Sequence, residues 1–345
     1  MMTDRIKRNL TIAAAAIIVV SCAKSEKSQP YDDEKAFFDA WIEINHPESV
    51  PTSLGAYLIE DNESQGEIHD PEEEPYVYVR YTVTDLEGNI TSTNFEKVAQ
   101  QVGIYDKANY YGPETWIVSE GFLPAGVEDM LNGMTVGGRR KAAIPAWLMT
   151  TKRYSKASDY LKHKDDESSY ANSIYEVELV ASTSDILKSE VDSLEKFTHK
   201  YLDGVDSLSY GFYYKQLKEP TDTNAFSSDT TVYINYTGRL LNGQVFDTTI
   251  QDTAKFYNVY SSSRTYEPVA VNWGEHYYDL TMGDSSSATS VITGFQLTLW
   301  EMRHYEKGVG LFYSPYGYTY KGSGRRIPSF APLLFEIEIV DEPED

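Results

Sequence analysis

Two periodicities organise this chain. Val232, Ile234 and Tyr236 alternate with Tyr233 and Asn235, and Phe335, Ile337 and Ile339 alternate with Glu336 and Glu338. A period of two marks strands with one buried and one wet face. The stretch opening at Gly294 places Phe295, Leu299 and Met302 at helical spacing, and Val127, Leu131 and Met134 repeat that spacing earlier in the chain. Strands and helix each have one apolar face, and a sheet curled around one short helix buries both at once. The expected class is therefore α+β.

The pattern occurs twice. "VYVRYTVTDLEGNITST" at 77–93 aligns with "VYINYTGRLLNGQVFDT" at 232–248 at an offset of 155. "GAYLIE" from Gly55 matches "GFYYKQ" from Gly211, "GVEDMLNGM" from Gly126 matches "GFQLTLWEM" from Gly294, and "SIYEVELV" from Ser173 matches "LLFEIEIV" from Leu333. Order is kept while the offset varies, so the elements are duplicated and the loops differ; a unit this long is a domain rather than a solenoid repeat. Between the copies, Ser184 as N-cap, a stripe of Leu187, Val191, Leu194 and Tyr201, and Gly204 as a stop predict a connecting helix. A short aromatic helix is expected from Phe37. The resulting division is a leader over 1–21, a tether and short helix over 22–53, a first domain over 54–181, a linker helix over 182–208 and a second domain over 209–345.

Arg5, Lys7 and Arg8 precede an apolar run from Leu10 to Val20, too short to span a membrane as a helix. It ends in "VVSC", which resembles the lipobox of bacterial lipoproteins, with Cys22, the only cysteine, as the lipid-attachment point. The expectation is an exported protein tethered by lipid to the cell envelope, with the outer membrane favoured. The formal net charge of −23 repels phosphate backbones and argues against nucleic acid.

Three motifs in order, "YTGRLLNGQVFDTT", "VITGF" opening a helix and "GSGRRIPSFAPLLFEIEIV", resemble the FKBP-type peptidyl-prolyl isomerases. The resemblance implies two FKBP-like domains, each a curled antiparallel sheet wrapped around a short helix. It also implies a shallow apolar pocket for a proline ring in the second. Carried over, Tyr236, Phe246 and Asp247 form one wall, Phe295 the floor, Val291 and Ile292 the side, Tyr318 the loop rim, and Ile327 and Phe335 the rim and back. The family's glycine after the loop tyrosine is Thr319 here. The substrates implied are proline-containing unfolded or exported polypeptides, and neither cofactor nor metal is required.

Such a pocket would work on the barrier of about 18–20 kcal/mol that amide resonance imposes on X–Pro rotation. The planar amide is more dipolar than the twisted transition state, so an apolar pocket disfavours the ground state more. Asp247 is read as an orienting group near Tyr236. In the first copy Thr91 and Ser92 replace "FD" and Val127 replaces the floor, so that copy is expected to be inactive, a structural or docking module. Residues 250 to 290 read as a long insertion beside the pocket that either blocks or extends it. The alternative to an isomerase is a non-catalytic FKBP-like binding or chaperone lipoprotein; carbohydrate binding through the aromatic insertion is a third.

Overall fold

The computed structural model describes residues 30–162, 171–283 and 288–344. The leader, Cys22 and most of the tether lie outside them. The first half runs α1 (Pro30–Asn45), β1 (Tyr57–Asn62), β2 (Tyr76–Thr84), β3 (Ile90–Thr93), α2 (Glu96–Gln101), β4 (Glu114–Ile117), α3 (Ala125–Leu131), β5 (Arg139–Ile144), α4 (Ala157–Leu161) and β6 (Ser173–Thr183). The second runs α5 (Ile186–Tyr201), β7 (Ser207–Ser209), β8 (Phe212–Lys218), β9 (Thr231–Leu240), β10 (Val245–Thr248), α6 (Gln251–Phe256), β11 (Val269–Asn272), β12 (Thr281–Met282), β13 (Thr289–Ser290), α7 (Thr293–Glu301), β14 (Lys307–Phe312) and β15 (Leu333–Val340). All strand pairings are antiparallel: β1-β5-β6-β2 with β3 and β4 on the same edge of β2, and β7-β8-β14-β15-β9 with β10 and β11 on the same edge of β9.

The duplication is visible in the registers. Val79 faces Glu114 as Ile234 faces Val269, and Thr82 faces Thr93 as Thr237 faces Thr248. Each threonine pair also shares a hydroxyl hydrogen bond of 2.9 Å. Val127, Leu131 and Met134 are buried in one core as Phe295, Leu299 and Met302 are in the other. Both helices approach their sheets closely: a Cβ added to Gly126 would overlap Ile144, and one added to Gly294 would overlap the ring of Phe312.

The repeat is longer than the sequence comparison indicated. α1 and α5 occupy positions 156 residues apart at both ends, and each covers the outer face of its sheet. Phe38 and Ile42 pack with Ala143 and Ile174, and with Tyr57; Leu194 packs with Tyr213, Leu311 and Leu334, the counterparts of Tyr57, Ala143 and Ile174. The connecting helix is thus also the first element of the second repeat. Its details differ from expectation. Asp185, not Ser184, caps it, accepting from the Lys188 N–H at 2.9 Å. The buried stripe is Ile186, Glu190, Val191, Leu194 and Thr198, while Leu187 and Tyr201 are exposed. α1 likewise starts at Pro30, well before Phe37.

Residues 250 to 290 are not one insertion. α6 lies 155 residues after α2, β11 lies 155 after β4, and the stacked pair Tyr260–Tyr266 repeats Tyr105–Tyr111. Added length is confined to the segment between β11 and α7. Gln296, buried on α7, fastens that segment by donating to the carbonyls of Tyr278 and Leu280.

Two outcomes follow. Gly294→Ala should cost about 1–3 kcal/mol, because the helix can leave Phe312 only by disturbing the core, and a urea midpoint lowered at constant slope would show it. Glu190, buried on α5, has its carboxyl pushed up to about 7 by burial against the opposing bonds from Ser314. A carboxyl raised in the folded state contributes most below its unfolded value near 4.5, and that contribution is lost as pH rises through the folded value. Stability should therefore fall between about pH 4.5 and 7 by up to on the order of 3 kcal/mol from this group, and Glu190→Gln should flatten that window.

Candidate active site

The second repeat carries an open hollow of about 210 Å³, smaller than a drug-sized pocket and of the size for one small ring. Phe335, on the central strand β15, is its hub. Phe295 meets it edge-on at 5.0 Å and 85°, Phe246 edge-on at 5.5 Å and 75°, Tyr236 tilted at 6.1 Å, and Phe312 stacks beneath at 5.9 Å. Tyr236 and Phe295 are themselves edge to face at 5.4 Å. Edge-on pairs place positive ring edges against negative faces. The rings therefore hold one another while presenting a shared surface to the hollow.

Room for them comes from Gly238. A Cβ there would come within 2.6 Å of Phe246 and 2.9 Å of Phe335. The hollow is completed by Val291 and Ile292 at the start of α7, by Tyr318, and by Met282, Thr289 and Ser290 of the added segment. Of the nine residues expected, eight line it: Tyr236, Phe246, Asp247, Val291, Ile292, Phe295, Tyr318 and Phe335. Ile327 does not. It is buried in the same core but faces a cavity between the repeats, with Tyr81 and Arg325.

The polar part of the wall is a three-residue cluster. The Tyr236 hydroxyl donates to Asp247 Oδ2 at 2.6 Å, Arg264 Nη2 donates to the Tyr236 oxygen at 3.0 Å, and Arg264 pairs with Asp247 Oδ1. Burial, with Asp247 adding to it, pushes the Tyr236 phenol far above its usual 10, and burial followed by Asp247 raises Tyr318 too. Both hydroxyls stay protonated, as donors rather than bases. Asp247 as an orienting group agrees with this geometry. Arg264 was missed, because it lies in what read as an insertion; its place 17 residues after Asp247 carries no local signature.

Comparison with known proteins bears on the same half. The family model of FKBP-type peptidyl-prolyl cis-trans isomerases matches residues 222–340. Over those residues the chain is similar to the FKBP family. A short-type peptidyl-prolyl cis-trans isomerase of Methanocaldococcus jannaschii is 36% identical over 70 residues, which is 20% of this chain and 44% of that protein. The chain thus spans less than half the length of that relative. Among solved structures, the three FKBP domains of wheat FKBP73 align over 84% of this chain and 95% of theirs, at 16% identity and a TM-score of 0.29. A peptidyl-prolyl cis-trans isomerase of Pseudomonas syringae pv. tomato aligns over 45% of this chain and 92% of its own, at 25% identity and a TM-score of 0.31.

In the first repeat the same positions hold a different set. Thr91 and Ser92 stand for Phe246 and Asp247, Val83 for Gly238, Val127 for Phe295, Tyr175 for Phe335 and Asn109 for Arg264. Tyr81 alone keeps its identity. Its hydroxyl now turns to Glu114, at 3.3 Å, and burial with that carboxylate pushes it up to about 12.

Thr319, where the FKBP family's glycine is expected, has φ 56°. The left-handed region costs a residue with a Cβ about 1–2 kcal/mol, against an entropy cost of about 0.5–1 kcal/mol for glycine. Thr319→Gly should therefore raise unfolding stability by about 0.5–1 kcal/mol, read from a denaturant midpoint.

Proposed function

We propose that the protein is a peptidyl-prolyl cis-trans isomerase working through the hollow of the second repeat, and that its substrates are exported or cell-envelope polypeptides. The observation that carries this reading is the ring set around Phe335, apolar below and bounded on one side by a hydroxyl that Asp247 and Arg264 hold in place. A proline ring entering it would leave water with its amide against apolar surface. The planar, charge-separated amide loses more there than the twisted one, so the rotation barrier falls. The role proposed for the Ile292 N–H, at the cap preceding α7, is to hold a substrate carbonyl. No bond is made or broken and no proton moves.

The first repeat is proposed to be inactive. It lacks the floor ring, the second wall ring and the Asp–Arg pair, and Val83 fills the space that Gly238 leaves open. Its losses favour a binding role for that half. The lipid anchor at Cys22 and the outer-membrane address belong to the same proposal and rest on the leader sequence alone.

On a proline tetrapeptide, Phe246→Ala with Asp247→Ala in the full chain should lower kcat/KM about a hundredfold. Wild-type turnover no faster than in buffer would remove the enzyme reading and leave binding. Because Tyr236 and Tyr318 are both raised above their ordinary value, the kcat/KM of the wild type should be level from pH 6 to 9; a bell-shaped profile in stopped-flow assays would require an acid or base in the step.

A further inference from the structure

The segment between β14 and β15 carries Tyr318 to the hollow, and it is pinned by α5 and by the first repeat. At its start, the Ser314 N–H and Oγ–H both donate to the Glu190 carboxyl of α5, at 2.5 and 2.7 Å, with both residues buried. Further on, the Arg325 carbonyl accepts the Tyr110 N–H at 2.7 Å. Near its end, Phe330 meets Tyr76 of β2 edge to face at 5.5 Å and 81°. Tyr110 and Tyr76 belong to the first repeat. That repeat's remnant site points the same way: Tyr81, Ser92 and Glu114 share a cavity with Arg325, Ile327 and Pro328.

The segment also holds a backbone that does not favour itself. Thr319 and Phe330 have φ 56°, and the Thr319 carbonyl accepts the Phe330 N–H at 3.0 Å. Such conformations persist where surrounding contacts over-determine them. Here those contacts come from α5 and the first repeat as well as from the second repeat's own core, against which Tyr316, Tyr318 and Ile327 pack.

We infer that α5 and the first repeat together clamp the rim of the second repeat's hollow, with Glu190, Tyr110 and Tyr76 as positioning residues that fix Tyr318 through the Ser314–Phe330 segment. This rests on the reading of the hollow as a proline site. The first copy lost its own pocket, and the strands that once framed it now hold the neighbouring domain's loop. A released loop would leave Tyr318 mobile at the rim, weakening capture of the proline ring more than the rotation that follows.

The test uses the full chain at pH 7 with Glu190→Ala, Glu190→Gln, Tyr76→Ala and the Tyr76→Ala, Glu190→Ala double variant. Loss of hydrogen bonds to a buried carboxyl corresponds to about a tenfold effect. Amide exchange over residues 315–324 should quicken about tenfold in Glu190→Ala. KM and Kd for a proline tetrapeptide should rise by about three- to tenfold, with kcat within about twofold. Glu190→Gln, which keeps one acceptor and offers a donor to the serine oxygen, should restore both readouts; a merely structural role would not give that rescue with a KM-selective defect. Tyr76→Ala should show the same defect more weakly and serves if Glu190→Ala does not fold. Unchanged exchange and Kd in the double variant would overturn the clamp, as would failure of the glutamine to rescue. A wild type that neither binds nor turns over the peptide would overturn the isomerase reading instead, and loop exchange would then decide the clamp by itself.

Discussion

The ring of Phe335 touches both the core and the site, and that shared contact constrains everything around it. It lies on β15, between β14 and β9, stacked on Phe312 on one side and met by Tyr236, Phe246 and Phe295 on the other. An open hollow floored by rings is unstable as an isolated feature, since exposed rings tend to collapse onto each other. Edge-to-face packing resists this by fixing the angles between rings, and the missing Cβ of Gly238 gives Phe246 and Phe335 the space to adopt those angles. The sheet that binds the helix is thereby the same object that shapes the pocket.

The two repeats separate what folding requires from what the hollow requires. Positions that hold sheet to helix are equivalent in kind: Val77 and Val232, Val79 and Ile234, Leu131 and Leu299, Gly126 and Gly294. Positions that face the hollow have diverged together, from Gly238, Phe246, Asp247, Arg264, Phe295 and Phe335 to Val83, Thr91, Ser92, Asn109, Val127 and Tyr175. The changes are mutually consistent, because once Phe246 is a threonine a valine fits where only glycine did. Tyr81 keeps its hydroxyl satisfied by recruiting Glu114 from β4.

Much of this is legible in the sequence. The period-two strands, the helix between them and the duplication follow from local pattern, and eight of the nine residues carried over from the family resemblance line the hollow. What escaped depended on tertiary context. Asp185 and Ser184 are both good N-caps, and only the turn geometry selects the aspartate. Leu187 and Tyr201 fit the stripe by apolar identity yet are exposed, whereas the buried face includes Glu190 and Thr198, which satisfy their polar atoms on Ser314 and the Glu195 carbonyl. Residues 250–268 looked like an insertion since their counterpart shares few identities, although the tyrosine pair and Pro268 stand 155 residues after Tyr105, Tyr111 and Pro113. Ile327 was misplaced because one buried residue can face either of two cavities, and sequence does not tell which.

The Asp247–Arg264 pair shows why a polar cluster beside an apolar hollow is not a contradiction. Its side chains are about a third exposed, and ion pairs so placed contribute little to stability. Their effect is on direction. With both Asp247 and Arg264 bonded to it, the Tyr236 hydroxyl cannot rotate toward the hollow at will, and its ring is held square to Phe295. Charge kept at the wall in this way leaves the ring floor of Phe295 and Phe335 free of charge. The pair therefore acts through geometry, and the same logic extends to the loop bearing Tyr318, whose shape is set by partners that never touch a substrate.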